Sequence, residues 1–163
     1  MKPVPQDRRL PAPAGAVVLD THVVLEWLWF SDPRTLPLGH AIARGHRKWW
    51  VCPPMEQEWQ RVLARLARSA ARSSTTTAAP TQEVELANAH FSRFAQYWPH
   101  MPPPAPYRCS DPDDQMFIDL GLATGARCLL TRDRALCKLR TRALAHGLLI
   151  GAPEDWCWKT DGP

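Results

Sequence analysis

Apolar residues fall along this chain in two rhythms. Short, nearly unbroken apolar runs at 16–20, 48–52, 127–130 and 148–150 have the length and the β-branched or aromatic character of buried strands. Between them apolar residues recur at helical spacing. Val24, Leu25 and Leu28 predict a helix over 21–30, and 38–45 predicts a short one ended by Gly45. Pro53 and Pro54 suit the first turn of a helix running to about Ser69, with Met55, Trp59, Val62, Leu63 and Leu66 as its apolar stripe. Further helices are predicted over 81–98, 112–124 and 133–146. Ser110 or Asp111 can cap the second of these, which Gly125 closes.

The segments that break the rhythm are equally telling. Residues 1–14 hold Pro3, Pro5, Pro11 and Pro13 and predict a disordered lead-in to a single domain over 15–155, with 156–163 left as a tail. The polar stretch 73–80 predicts an exposed loop, and the prolines of 99–106 an extended connection. Strands alternating with helices predict a three-layer α/β/α sandwich around a mostly parallel sheet, with right-handed crossovers. At 163 residues the chain suits one such domain.

Composition narrows the picture modestly. A net charge of +4 is compatible with a polyanionic partner, and many of the arginines cluster at 61–72 and 127–142. The five cysteines are scattered without zinc-ligand spacing, and Cys52, Cys128 and Cys137 read as small buried hydrophobes in a reducing cytosol. No stretch resembles a signal peptide or reaches the roughly 20 apolar residues of a membrane helix. A cytoplasmic protein is the expectation. Trp27, Trp29, Trp49, Trp50 and Trp59 are expected mostly to pack in the core, one or two of them to form a partner surface or stack on single-stranded RNA. Trp156 and Trp158 are expected to close the sandwich or to dimerise it.

The candidate chemistry is acidic. Asp20 closes the first predicted strand and Asp133 follows the third, so both stand at carboxyl ends of strands, where open α/β sheets bind ligands. Asp114 lies in the acidic stretch Asp111-Pro112-Asp113-Asp114 that opens a helix. Glu58 shares a helix face with Met55, Val62 and Leu66, where an unpaired carboxylate is costly. Carboxylates brought together repel unless a cation neutralises them, so the set predicts a divalent-metal site of hard oxygen ligands. Each acid also has a plainer reading. Asp20 and Asp133 can be helix caps, and a helical glutamate can be solvated surface.

Taken in order, strand-Asp20-Thr21-His22, helical Glu58, Asp111-Pro-Asp-Asp114 before a helix, and strand-Thr131-Arg132-Asp133 resemble the PIN-domain nucleases over about 16–152. The nearest likeness is to the group serving as toxins of toxin-antitoxin systems. The resemblance implies an endoribonuclease that uses Mg²⁺ or Mn²⁺ to hydrolyse RNA phosphodiester bonds, with a cognate antitoxin as partner and a homodimer as a further expectation. It implies Asp20, Glu58, Asp114 and Asp133 as the catalytic acids, with Asp20 and Asp114 as direct metal ligands. Thr131 would orient the acids through its hydroxyl. Asp113 could replace Asp114 if the helix register slips by one, while Asp111 fits better as the cap. Arg132 and Arg134 could contact backbone phosphates, or be a solvated helix start.

One departure stands out, because the family usually has asparagine where this chain has His22. An amide both donates and accepts, as neutral imidazole does with a different shape. His22 therefore keeps a second expectation open, a PIN-like module that binds RNA or protein without turnover. It can equally be a surface residue with no part in catalysis. A phosphoaspartyl phosphatase is disfavoured, since no Asp-x-Asp follows the first strand.

Overall fold

The computed structural model describes residues 15–73 and 79–155. Among them five strands form one parallel sheet in the order β3-β2-β1-β4-β5, with β1 at Ala16–Leu19, β2 at Lys48–Val51, β3 at Ala95–Tyr97, β4 at Cys128–Leu130 and β5 at Leu149–Gly151. β1 and β4 are buried throughout, as strands covered on both faces must be. The chain leaves β1 towards β2 and β3, then returns across β1 to β4 and β5 on its other side. That reversal makes the β1/β4 boundary the switch point of the sheet, where a crevice opens beyond the strand ends.

Seven helices complete the described fold: α1 (Thr21–Leu28), α2 (Leu36–Ala43), α3 (Pro53–Ser73), α4 (Ala79–Phe94), α5 (Gln115–Ala123), α6 (Arg134–Cys137) and α7 (Arg140–Ala145). α1, α3 and α4 pack on one another, whereas α5 packs on β1 and β4 and α7 on β5. The result is the expected α/β/α sandwich. An aromatic cluster joins the first group to β2. Phe91 of α4 stacks on Trp59 of α3 at 5.1 Å and meets Trp49 of β2 edge-on at 4.9 Å. Such pairs contribute about 0.5–1.5 kcal/mol each beyond their buried area. Trp49 and Trp59 are fully buried, while Trp27, Trp29 and Trp50 pack half-buried against the core.

Several expected boundaries move, each for a tertiary reason. The helix expected over 81–98 stops at Phe94, and Ala95–Tyr97 instead pairs in parallel with Trp49–Val51 as the edge strand β3. An open sheet edge offers these three residues a full ladder, which outweighs a last helical turn before Pro99. The helix expected over 133–146 is two short ones, because the Leu139 N–H bonds Leu136 O at i−3 and tightens the turn between them. That tightening buries Leu136, Leu139 and Ala143 together. A 3-10 turn, Pro112–Asp114, precedes α5 where a continuous helix was expected. α3 runs to Ser73 and α4 begins at Ala79, so the centre of the expected 73–80 loop, residues 74–78, lies outside the described residues. So do the expected lead-in 1–14 and tail 156–163, with Trp156, Cys157 and Trp158. Residues 98–111 form neither helix nor strand, as their prolines dictate. Cys52 and Cys128 are buried as expected, while Cys137 is only half-buried.

Gly39 marks a close approach that the sequence does not announce. A Cβ there would stand 2.2 Å from Trp27 Nε1 and 2.7 Å from Cε2, on a rigid indole wedged between α2 and the core. Gly39→Ala should therefore cost about 1–3 kcal/mol of overpacking strain. A lower urea midpoint with an unchanged m value would register it.

Candidate active site

Parallel pairing of β1 with β4 sets Leu19 beside Leu130, so the residues that follow both strands emerge together. The first is Asp20, whose N–H continues the ladder to Leu130 O at 3.1 Å. Its side chain caps α1, accepting from the N–H of His22 at 2.6 Å and of Val23 at 3.2 Å. From β4 comes Thr131, fully buried, whose hydroxyl donates a short hydrogen bond to Asp20 Oδ2 and accepts from the Asp133 N–H at 2.9 Å. Asp133 caps α6 through the N–H groups of Ala135 and Leu136. Both candidate site aspartates are thus helix caps as well. One carboxylate oxygen of each is engaged by the helix, which fixes where the other points.

Asp114 joins them from the turn before α5. Burial pushes its carboxyl up to about 7, helped by the negative charges of Asp133 and Asp111, a hydrogen bond with Asp133, and the charge of Asp20. Asp20 is also raised by burial, against the pull of Thr131 and the α1 amides. Asp114 therefore faces the other acids, whereas Asp113 is exposed and Asp111 caps the turn by accepting from the Asp113 N–H at 3.0 Å. A buried network fixes this turn in space. Gln115 Oε1 accepts from the Cys109 N–H at 2.7 Å, and its amide donates to Tyr107 O and to Asp119 Oδ1. Asp119 also accepts from the Ala105 N–H at 2.8 Å, so the irregular 105–109 segment is strapped to the start of α5.

Glu58 reaches the site through one intermediary. Half-buried on α3, it accepts from the Thr21 hydroxyl at 2.8 Å, and Thr21 follows Asp20 directly. Thr21, Gln115 and Asp119 have no place among the sequence-derived candidates. The first had a signal in its position next to a strand-end aspartate, but the other two are tied in only by contacts between separate segments. His22 turns outward, its side chain 85% exposed, and its Nδ1 lies 3.8 Å from Asp20 Oδ1, beyond hydrogen-bond reach. Arg132 does not project freely from the rim. Its Nε donates to Glu26 Oε1 at 2.9 Å and it also pairs with Glu154, tying α1 to the segment after β5. Arg134 is exposed at the start of α6.

The donor set consists of hard oxygens, which suits Mg²⁺ or Mn²⁺ rather than a thiolate-seeking metal. Among the described residues no group of three or more His, Cys, Asp or Glu side chains is arranged to hold a metal ion. The crowding is nevertheless the kind that a cation relieves, since burial and then the charges of Asp133, Asp111 and Asp20 all push the Asp114 carboxyl up. By the chemistry of its donors alone, the acid set fits a divalent ion.

The raised Asp114 carboxyl makes metal-free stability depend on pH in a defined direction. The unfolded carboxyl titrates near 4 and the folded one near 7, so between these values the folded chain binds more protons. Stability should then fall as pH rises from about 4 to about 7, and level off above. Melting curves in EDTA from pH 5 to 8 should show this decline, and Asp114→Asn should flatten it.

No curated protein and no solved structure matches the chain. A family model described as PIN domain matches residues 16–135, which contain Asp20, Glu58, Asp114 and Asp133. PIN domains are generally nucleases and typically bind divalent metal ions. With well over half of its 163 residues inside that match, and with its acids gathered at the switch point of a parallel sheet, the chain belongs to the PIN-domain family.

Proposed function

We propose that this protein is a metal-dependent endoribonuclease that hydrolyses RNA phosphodiester bonds, working in the cytoplasm as the toxin of a toxin-antitoxin pair. The observation that supports it most is the gathering of Asp20, Asp114 and Asp133 at the β1/β4 switch point, where burial and the neighbouring acids push the Asp114 carboxyl up to about 7. The toxin role and the antitoxin partner rest on the likeness of the Asp111–Asp114 and Thr131–Asp133 motifs to that group of PIN domains. Among the described residues no helix is long and apolar enough to cross a membrane.

In this reading Asp20 and Asp114 hold Mg²⁺ or Mn²⁺, with Asp133 and Glu58 completing the shell directly or through water. When bound, the metal supplies charge neutralisation at the scissile phosphate and a lowered pKa for an attacking water. The chain's own part is positional. Thr131 keeps the Asp20 carboxylate aimed by donating to one oxygen while the α1 amides hold the other. Thr21 fixes Glu58 in the same way. The Gln115 and Asp119 network holds the turn that carries Asp114, so the acids need little reorganisation on binding. None of these groups is placed as a covalent nucleophile.

A second reading, binding of RNA or a protein partner without turnover, draws on the outward side chain of His22. Position 22, where the family usually has asparagine, carries an imidazole and no side-chain amide.

Incubating single-stranded and structured RNAs with Mg²⁺, Mn²⁺ or EDTA tests both. The wild type should cleave only with metal, and Asp114→Asn should reduce the rate about 100-fold or more. Absence of any metal-dependent cleavage would sink the enzyme reading and leave the binding module. His22→Asn should raise the rate if the imidazole impairs the site, and leave it alone if residue 22 is mere surface. In thermal shift, Mg²⁺ or Mn²⁺ should raise Tm more at pH 8 than at pH 6, because at the lower pH protons compete for Asp114. Asp114→Asn should remove that difference. Homodimerisation is also proposed, and sedimentation at several concentrations would detect it.

A further inference from the structure

A row of arginines begins on α3 where the acid site ends. Glu58, Arg61, Arg65, Arg68 and Arg72 succeed one another at steps of three, four, three and four residues. At about 100° per residue all five stay within roughly 80° of arc on one helix face. With a rise of about 1.5 Å per residue, the four arginines extend over roughly 16 Å. Each is exposed, and among the described residues none enters an ion pair. Glu58, Arg61 and Arg65 line one wall of an open groove of about 540 Å³, whose opposite side includes Met101, Pro102 and Met116.

The row weakens the helix that carries it. Arg61 faces Arg65 and Arg68 faces Arg72 at i,i+4, and Arg65 faces Arg68 at i,i+3, spacings at which like charges repel. No glutamate or aspartate occupies α3 beyond Glu58 to offset them. A bound polyanion would relieve that repulsion. The arginine fork matches phosphate oxygens in pairs, and a single file of forks on one helix face follows one backbone rather than the two of a duplex. Among the described residues the groove is lined by no aromatic side chain, so they offer no platform for base stacking there.

We propose that the Arg61-Arg65-Arg68-Arg72 row is a track for a single-stranded polynucleotide, gripping consecutive phosphates on one side of the bond presented to the acids. The assignment rests on the nuclease reading of the acid site and extends it by naming the strand's path and its form. Contacts of this type set affinity and register without reading sequence.

Fluorescence anisotropy of the full chain carrying Asp114→Asn, with a labelled single-stranded RNA and a duplex of the same sequence across a salt series, tests the track. Replacing all four arginines by glutamine should weaken single-strand binding at least tenfold. It should also lower the slope of log affinity against log salt by about 3, at about 0.7 for each phosphate no longer gripped. Arg142→Gln, on α7, should change neither. Circular dichroism should show the glutamine variant folded, with an equal or higher Tm because the repulsion is gone. An unchanged affinity and slope in the folded variant overturns the track, as does tighter binding of the duplex or selective displacement of the RNA by an acidic peptide. The two readings fail separately. Wild type that cleaves RNA while the arginines prove irrelevant keeps the nuclease and loses the track. Arginine-dependent RNA binding without any cleavage keeps the track and loses the nuclease.

Discussion

Everything at the candidate site follows from the parallel pairing of β1 with β4. The pairing puts Leu19 beside Leu130, and so brings Asp20 and Thr131, 111 residues apart in the chain, to one hydrogen bond. Thr131 is buried and uses both capacities of its hydroxyl, giving to Asp20 and taking from the Asp133 backbone. A buried carboxylate such as Asp20 is tolerable only because Thr131 and two α1 amides satisfy it. The same contacts that stabilise the acid also aim it.

The second constraint is electrostatic. Asp114, Asp133, Asp111 and Asp20 crowd one crevice, where burial and the neighbouring negative charges together raise the Asp114 carboxyl. Arg132, next to the last acid in sequence, is drawn off by Glu26 and Glu154 into a tie across the sheet's end. Four arginines are instead set out along α3, beside the acids but not among them. In the proposed reading, that separation leaves the acids to a cation and the arginines to an anion. A phosphodiester bound with a metal needs both.

Much of the architecture was legible from the order of apolar residues, because a strand buried on both faces and an amphipathic helix leave different periods. β1, β2, β4, α1 and α3 stand close to where those periods put them. What the sequence concealed are elements whose conformation depends on a neighbour. Ala95–Tyr97 continues a helical pattern and becomes a strand because β2 has an open edge. The split between α6 and α7 follows from burying three apolar residues at once. Thr21, Gln115 and Asp119 escaped notice as site residues because their roles rest on partners in other segments of the chain.

The sequence by itself determined that this is an α/β chain with acids at two strand ends, since apolar runs and the residues that close them are local facts. It also carried the motif order that places the chain among PIN domains. Only the tertiary structure decided which acids meet. It turned Asp114 rather than Asp113 towards Asp133, tied Glu58 to the hydroxyl of the residue after Asp20, left His22 facing out and engaged Arg132 elsewhere. The physical reason is that a side chain's charge, exposure and partners are set by whatever the fold brings against it, and no local pattern encodes a contact made across a hundred residues.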